Sequence, residues 1–208
     1  MANELSGRKI AVMVESEFIP EEIRAYQTRF PELGAQVDFV SRLWGNTSLE
    51  FVSDVVNDPA NPPKRLTVHL DFGSASVEDY AAVIMAANYC SVRLRQFDAP
   101  AGEAVKPEYA RTAPAVRFFA KAMDNKHIVK GALCHGLWIL TPMPELLRGR
   151  QVICHEVVIS DVTNAGGVFV PAPTGVHVDG DLVTGRSKDE VFLFIDTIAQ
   201  QILAVAKA

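Results

Sequence analysis

Ile128-Val-Lys-Gly-Ala-Leu-Cys-His-Gly-Leu-Trp-Ile-Leu140 is the stretch from which the rest of the chain is read. Ile128 to Leu133 is a near-continuous apolar run of strand length, the pattern of a parallel strand covered by helices on both faces. His135 to Thr141 then starts a helix. Cys134 falls at the junction, with the small residues Gly131, Ala132 and Gly136 around it. A sharp strand-to-helix turn exposes its side chain at the carboxyl edge of a sheet, where the helix N-terminus favours negative charge. Such a nucleophile elbow makes Cys134 a candidate reactive thiolate, against the plainer alternative of an inert core thiol. The backbone N–H of His135 would point to the same space, ready for a developing oxyanion.

Outward from the elbow, buried strands alternate with helices, which predicts an α/β domain with a mainly parallel central sheet. Lys9 to Val14 and Ala81 to Met85 read as buried parallel strands and Gln36 to Ser41 as the strand completing a first β-α-β unit. Between the first two elements of that unit, Pro20 suits a first helical position and Glu21 and Glu22 suit the positive end of the dipole. The helix runs to about Phe30, before Pro31 and Gly34. Val68 to Phe72 alternates like an edge strand, and Ala115 to Met123 has helical spacing. Val152 to Ile159 and Val168 to Val170 read as strands, and Val176 to Val183 as a hairpin turning on Asp179-Gly180. Ser187-Lys-Asp-Glu190 is a capping box, followed by Val191, Phe194, Ile195, Ile198, Ile202 and Leu203 at helical spacing. Two turn-rich stretches, 45–64 and 96–113, read as inserted surface loops, the first as decoration or a lid. With no internal repeat, residues 1–208 are expected to form one domain.

The 208 residues are 49% hydrophobic and 22% charged, enough for one substantial core. A formal net charge of -5 argues against nucleic acid or a membrane surface as partner and favours small ligands. No run approaches the roughly 20 apolar residues of a membrane span, and Met1 to Lys9 lacks an apolar signal core, so a cytoplasmic protein is expected. Cys90, Cys134 and Cys154 have neither disulfide-framework nor zinc-site spacing. Cys134, His135, His155 and Glu156 include metal-ligand types, but their spacing fits no recognised site, so no metal and no cofactor are expected. Cys90 reads as a pocket-lining residue and Cys154 as a packed core thiol. His69, His127 and His177 read as surface or edge residues, and Trp44, Tyr89 and Trp138 as core or cavity walls.

Several segments, in order, carry a resemblance: Ala11 to Glu22, Val68 to Ile84, Ala132-Leu-Cys-His-Gly136, Leu147-Arg-Gly-Arg150, Asn164-Ala-Gly166 and Val178 to Arg186. Together they resemble the ThiJ/PfpI superfamily of class-I glutamine-amidotransferase-like proteins. The resemblance implies a flavodoxin-like three-layer sandwich, a homodimer or larger homo-oligomer, the elbow cysteine as nucleophile and a glutamate from the first strand-helix turn bonded to it. Ungapped, that carboxylate falls on Ile19; a small shift brings Glu17 or Glu22 into place, with Glu22 favoured because it follows Pro20. The family's Gly-Gly oxyanion pair is replaced by Ala86-Ala87, so Ala87 and His135 are the implied oxyanion donors, with Asn88 adding a side-chain amide to the pocket. His155 matches a second pocket histidine that would shuttle protons. Where protease-like members borrow an acid, this chain has Tyr89-Cys90-Ser91, which argues against a protease.

The resemblance implies a cysteine enzyme acting on a small electrophile, as an amidase or other hydrolase, a hydratase or a cofactor-free glyoxalase. The alternatives are a redox-sensing or stress-protective protein built on an oxidisable Cys134, and a pocket protein without catalysis.

Overall fold

A computed structural model describes residues 3–54 and 62–206. Its elements are β1 (Lys9–Met13), α1 (Pro20–Glu32), β2 (Gln36–Ser41), β3 (Leu49–Val52), β4 (Arg65–Val68), β5 (Leu70–Asp71), β6 (Ala82–Met85) and α2 (Cys90–Leu94). They continue with α3 (Pro114–Asp124), β7 (Val129–Leu133), β8 (Gln151–Val152), α4 (Ile159–Asn164), β9 (Val168–Phe169), β10 (Val176–Asp179), β11 (Leu182–Gly185) and α5 (Val191–Val205).

The apolar runs form the middle of a seven-stranded sheet in the order β10-β11-β7-β6-β1-β2-β5. Its pairs are parallel except the β10–β11 hairpin. β6 and β7 are buried along their whole length, which is why they read as apolar runs, broken only by Lys130, rather than as alternating ones. Helices α1 and α5 touch each other on one side, α5 lying against β7 and β11; α2, α3 and the 3-10 turn Gly136–Leu140 pack together, with α3 also against β7. This is the flavodoxin-like, three-layer arrangement. The α5 contact is close because Gly131 has no side chain: a Cβ there would come within 2.8 Å of Ile198 and 2.9 Å of Phe194. Burying Phe194, Ile195, Ile198 and Ile202 contributes about 1.5–3 kcal/mol each. At the start of the helix Ser187 accepts from the N–H of Asp189, and Glu190 accepts from the N–H of Ser187. Among the described residues no helix is long and apolar enough to cross a membrane.

Several expectations are corrected. The helix expected from His135 to Thr141 is a 3-10 helix over Gly136–Leu140. The strand expected from Val152 to Ile159 stops at Val152; its successor Ile153 donates to the Thr184 hydroxyl, and His155 donates to the Cys134 carbonyl at 3.3 Å, so no ladder continues. The chain instead turns through a 3-10 helix, Glu156–Val158, into α4. The expected loop at 45–64 contains β3, which pairs antiparallel with β4; 55–61 lie outside the described residues. The expected edge strand at 68–72 is divided, since Val68 ends β4 in that ribbon while β5 joins β2 in the main sheet. The loop at 96–113 holds a 3-10 helix, Pro107–Thr112, and follows the short helix α2, which has no clear sequence signal.

β1 is flanked by β2 on one side and β6 on the other, so the chain reverses its direction of travel across the sheet there. The crevice that this opens at the carboxyl ends of the strands is where open α/β sheets bind ligands.

Candidate active site

Three strand ends meet at that crevice. After β1 the chain runs through Glu17 at φ 67° and enters α1, whose first turn holds Glu22 fully buried. After β6 come Ala87 and Asn88, the latter at φ 60°; after β7 comes Cys134 at φ 58°. A left-handed backbone in a residue other than glycine costs about 1–3 kcal/mol and persists only where surrounding bonds enforce it. Around Cys134 they do: its N–H donates to the Gly185 carbonyl at 2.8 Å, and its carbonyl accepts from His155. Gly136 completes the turn, because a Cβ there would lie 3.0 Å from the Met85 carbonyl oxygen.

Glu22 is held by two donors. The Tyr26 hydroxyl donates to it at 2.7 Å, and the Ala87 N–H lies 3.0 Å from both carboxyl oxygens. Burial outweighs these bonds and pushes the Glu22 pKa up to about 7. Cys134 is 6% exposed, and its thiol is pushed up to about 11, first by burial and then by the charge of Glu22. The backbone amides of Asn88 and His135 face the sulfur and pull in the other direction. The charge of Glu22 thus acts on the Cys134 thiol, although no hydrogen bond joins the two among the described residues.

The His135 ring Nδ1 is 3.7 Å from the Cys134 sulfur. The ring stacks on Trp138 at 4.9 Å and lies 5.7 Å from Tyr89 and 5.2 Å from His155. Burial lowers its pKa to about 4, so it is neutral at physiological pH, and its Nε2 has no partner among the described residues. Cys90 is buried, and its thiol donates to the Glu15 carbonyl at 3.2 Å; burial pushes the Cys154 thiol up to about 12.

Of the residues singled out in the sequence, Cys134, Glu22, His135 and Asn88 come together. Glu17 does not: its carboxylate is bonded to Arg93 at 3.0 Å. Ala87 is near, but its N–H is taken by Glu22, so the free amides at the sulfur are those of Asn88 and His135. The Asn88 side-chain amide is also committed, donating to the Glu17 carbonyl at 2.8 Å. His155 caps the turn at Glu156–Val158 and reaches the site only through the His135 ring. Among the described residues no group of three or more His, Cys, Asp or Glu is arranged to hold a metal ion.

A cavity of about 530 Å³ opens over Cys134, Asn88 and His135. One wall is the start of α1, with Ile19, Pro20, Glu21 and Arg24; the other is the ribbon beyond β3 and before β4, with Ser53, Asp54 and Lys64. The ribbon is fixed there by a bridge from Phe18 to Ser53 and by the Glu17 N–H on the Val52 carbonyl at 2.7 Å. The described part of the 45–64 insertion is therefore a wall of the site, which its turn-rich composition alone does not reveal.

The sequence profile of the DJ-1/PfpI family matches residues 8–201. The chain belongs to this family. It is 27% identical over 188 residues to Protein/nucleic acid deglycase 2 of Escherichia coli (strain K12), across 90% of this chain and 94% of that one. Among solved structures, it superposes on Drosophila melanogaster DJ-1beta with a TM-score of 0.70 at 13% identity, covering 97% of this chain and 96% of the other. It also matches a two-domain protein of Anabaena variabilis containing DJ-1/ThiJ/PfpI-like and ferritin-like domains, with a TM-score of 0.75 at 19% identity, over 94% of this chain but 48% of that one. At such identities the two structures establish a shared fold. Membership of the DJ-1/PfpI family, together with the deglycase relative, supports a cysteine-dependent function.

Proposed function

We propose that the protein is a cofactor-free, Cys134-dependent enzyme acting on carbonyl electrophiles, α-oxoaldehydes or their adducts. The observation that carries this reading is a thiol on a left-handed elbow facing the amides of Asn88 and His135, next to the Ala87 amide that holds Glu22, whose pKa of about 7 suits proton exchange at neutral pH. The sulfur adds to the carbonyl carbon as its proton passes to Glu22, and the carbonyl oxygen gains the negative charge. The amides of Asn88 and His135 receive that oxygen. Glu22 then returns that proton to the oxygen, giving a hemithioacetal; transfer of the proton on its carbon to the neighbouring carbonyl carbon converts this to a 2-hydroxy thioester, and water cleaves the thioester to the 2-hydroxy acid and the free thiol. A thiol at about 11 is almost wholly protonated at rest, so it needs this transfer to act as a nucleophile. The same protonation gives the redox-sensor alternative less support, because peroxide attacks the thiolate. The name of the deglycase relative favours carbonyl adducts over amides.

The test is turnover of methylglyoxal, followed by 2-hydroxy acid formation, with a simple amide run in parallel. Wild type should convert the aldehyde, Glu22→Gln should lose about 100-fold in kcat, and Cys134→Ser should be inactive. Undiminished turnover by Cys134→Ser would end the reading; hydrolysis of the amide alone would move it to the amidase class.

A further inference from the structure

Three cations, Arg24 on α1, Lys64 before β4 and Lys188 ahead of α5, line the Cys134 cavity from three separate elements. None is engaged in an ion pair among the described residues, although Glu21 and Asp54 line the same cavity. Among the described residues the lining thus carries three cations against two carboxylates, in a protein whose net charge is -5. Side chains of one sign gathered around a concave site raise the local concentration of the opposite charge. The volume of about 530 Å³ falls in the range that holds drug-sized ligands, far more than a three-carbon aldehyde fills.

From this we infer that the cavity selects an anionic electrophile, a carbonyl compound bearing a carboxylate or phosphate group that Arg24, Lys64 and Lys188 receive while its carbonyl meets Cys134. The inference rests on the proposed function for the role of Cys134, but the charge selection is measurable without turnover. Unpaired surface cations attract weakly in water one by one; three converging on one mouth act together on a single anion, and salt screens them.

Alkylation of Cys134 by iodoacetate and by its neutral isostere iodoacetamide, followed by peptide mass spectrometry, reads this directly. Both reagents transfer the same carbon to sulfur with loss of iodide and of the thiol proton. Only one carries a carboxylate. The iodoacetate-to-iodoacetamide rate ratio at Cys134 is expected to be several times that of glutathione. It should fall roughly two- to threefold in each of Arg24→Gln, Lys64→Gln and Lys188→Gln, and with added salt, while the iodoacetamide rate holds. A ratio equal to that of glutathione, or one that the three substitutions leave unchanged, overturns the inference and leaves the proposed function standing. A Cys134 that reacts with neither reagent overturns both. Protection by inorganic phosphate and by acetate at constant ionic strength separates the two anion classes: stronger protection by one assigns that class, and protection by neither counts as failure.

Discussion

Cys134 and Glu22 each occupy a position that their own chemistry disfavours. The cysteine is held at φ 58°, and the glutamate is fully buried against Tyr26 and Ala87. The cost at Glu22 can be read from its titration. Its pKa in the folded protein, about 7, lies above the ordinary 4.5, so the folded protein keeps a proton that the unfolded chain releases between those values. The stability linked to that proton is fully present below pH 4.5 and is lost as pH rises through 7, by on the order of 3 kcal/mol. Wild type should therefore show a denaturation midpoint that declines between pH 5 and pH 8, and Glu22→Gln should lack most of that decline. Equal slopes for the two proteins would mean that Glu22 is ionised throughout. The sequence narrowed the partner of Cys134 to Glu17 or Glu22 but did not separate them, because both acids border the same strand-helix turn. What separates them is the start of α1 at Pro20, which turns Glu22 inward while Glu17 stays beside Arg93.

At the level of elements, two glycines on and after β7 serve different neighbours. A Cβ on Gly131 would strike the ends of Ile198 and Phe194, flexible side chains of α5 that can yield in part. A Cβ on Gly136 would meet the Met85 carbonyl oxygen and the Ala132 Cβ, so the elbow would have to shift against β6. Gly131→Ala is therefore expected to lower stability by about 1–3 kcal/mol with unchanged Cys134 reactivity toward iodoacetamide. Gly136→Ala should change that reactivity severalfold. Comparable reactivity in both variants would show that the elbow tolerates displacement. The strands of this region were legible because full burial leaves an apolar run, and α5 was legible from its capping box and stripe. The turn after Cys134 was not, because Gly136-Leu-Trp-Ile-Leu140 has the same composition whether it winds as an α-helix or a 3-10 helix. The segment after Val152 misleads for a related reason: its β-branched residues suit a strand, but Ile153 spends its amide on a Thr184 side chain. The β3–β4 ribbon lies outside the main sheet, and the polar, proline-rich stretch between its strands hides the pairing.

Across the whole molecule, β7 joins two kinds of buried polar group. Its carboxyl end delivers Cys134, while near its start Lys130, with a fully buried side chain, is paired with Asp181, which also accepts from Arg150 at 2.8 Å. Arg150 in turn holds Asp179 at 2.7 Å, tying the β10–β11 hairpin to β8. Removing one partner from a buried ion pair costs about 3–5 kcal/mol, because the other is left desolvated and uncompensated. The loss should be lopsided here. In Asp181→Ala, Lys130 keeps only the Asn125 carbonyl as a hydrogen-bond partner among the described residues, so the full cost is expected. In Lys130→Met, Asp181 keeps Arg150, and a smaller loss should follow. The network stands at the amino end of the strand whose other end carries the thiol, and among the described residues no bond of the network reaches Cys134 or Glu22. Unfolding free energies from denaturant titration of the two variants should therefore differ by at least about 1 kcal/mol in that order, with midpoints displaced accordingly, while both folded proteins alkylate Cys134 at the wild-type rate. Equal midpoints would mean that Arg150 does not compensate Asp181, and altered alkylation would mean that the charge network and the site are coupled along β7.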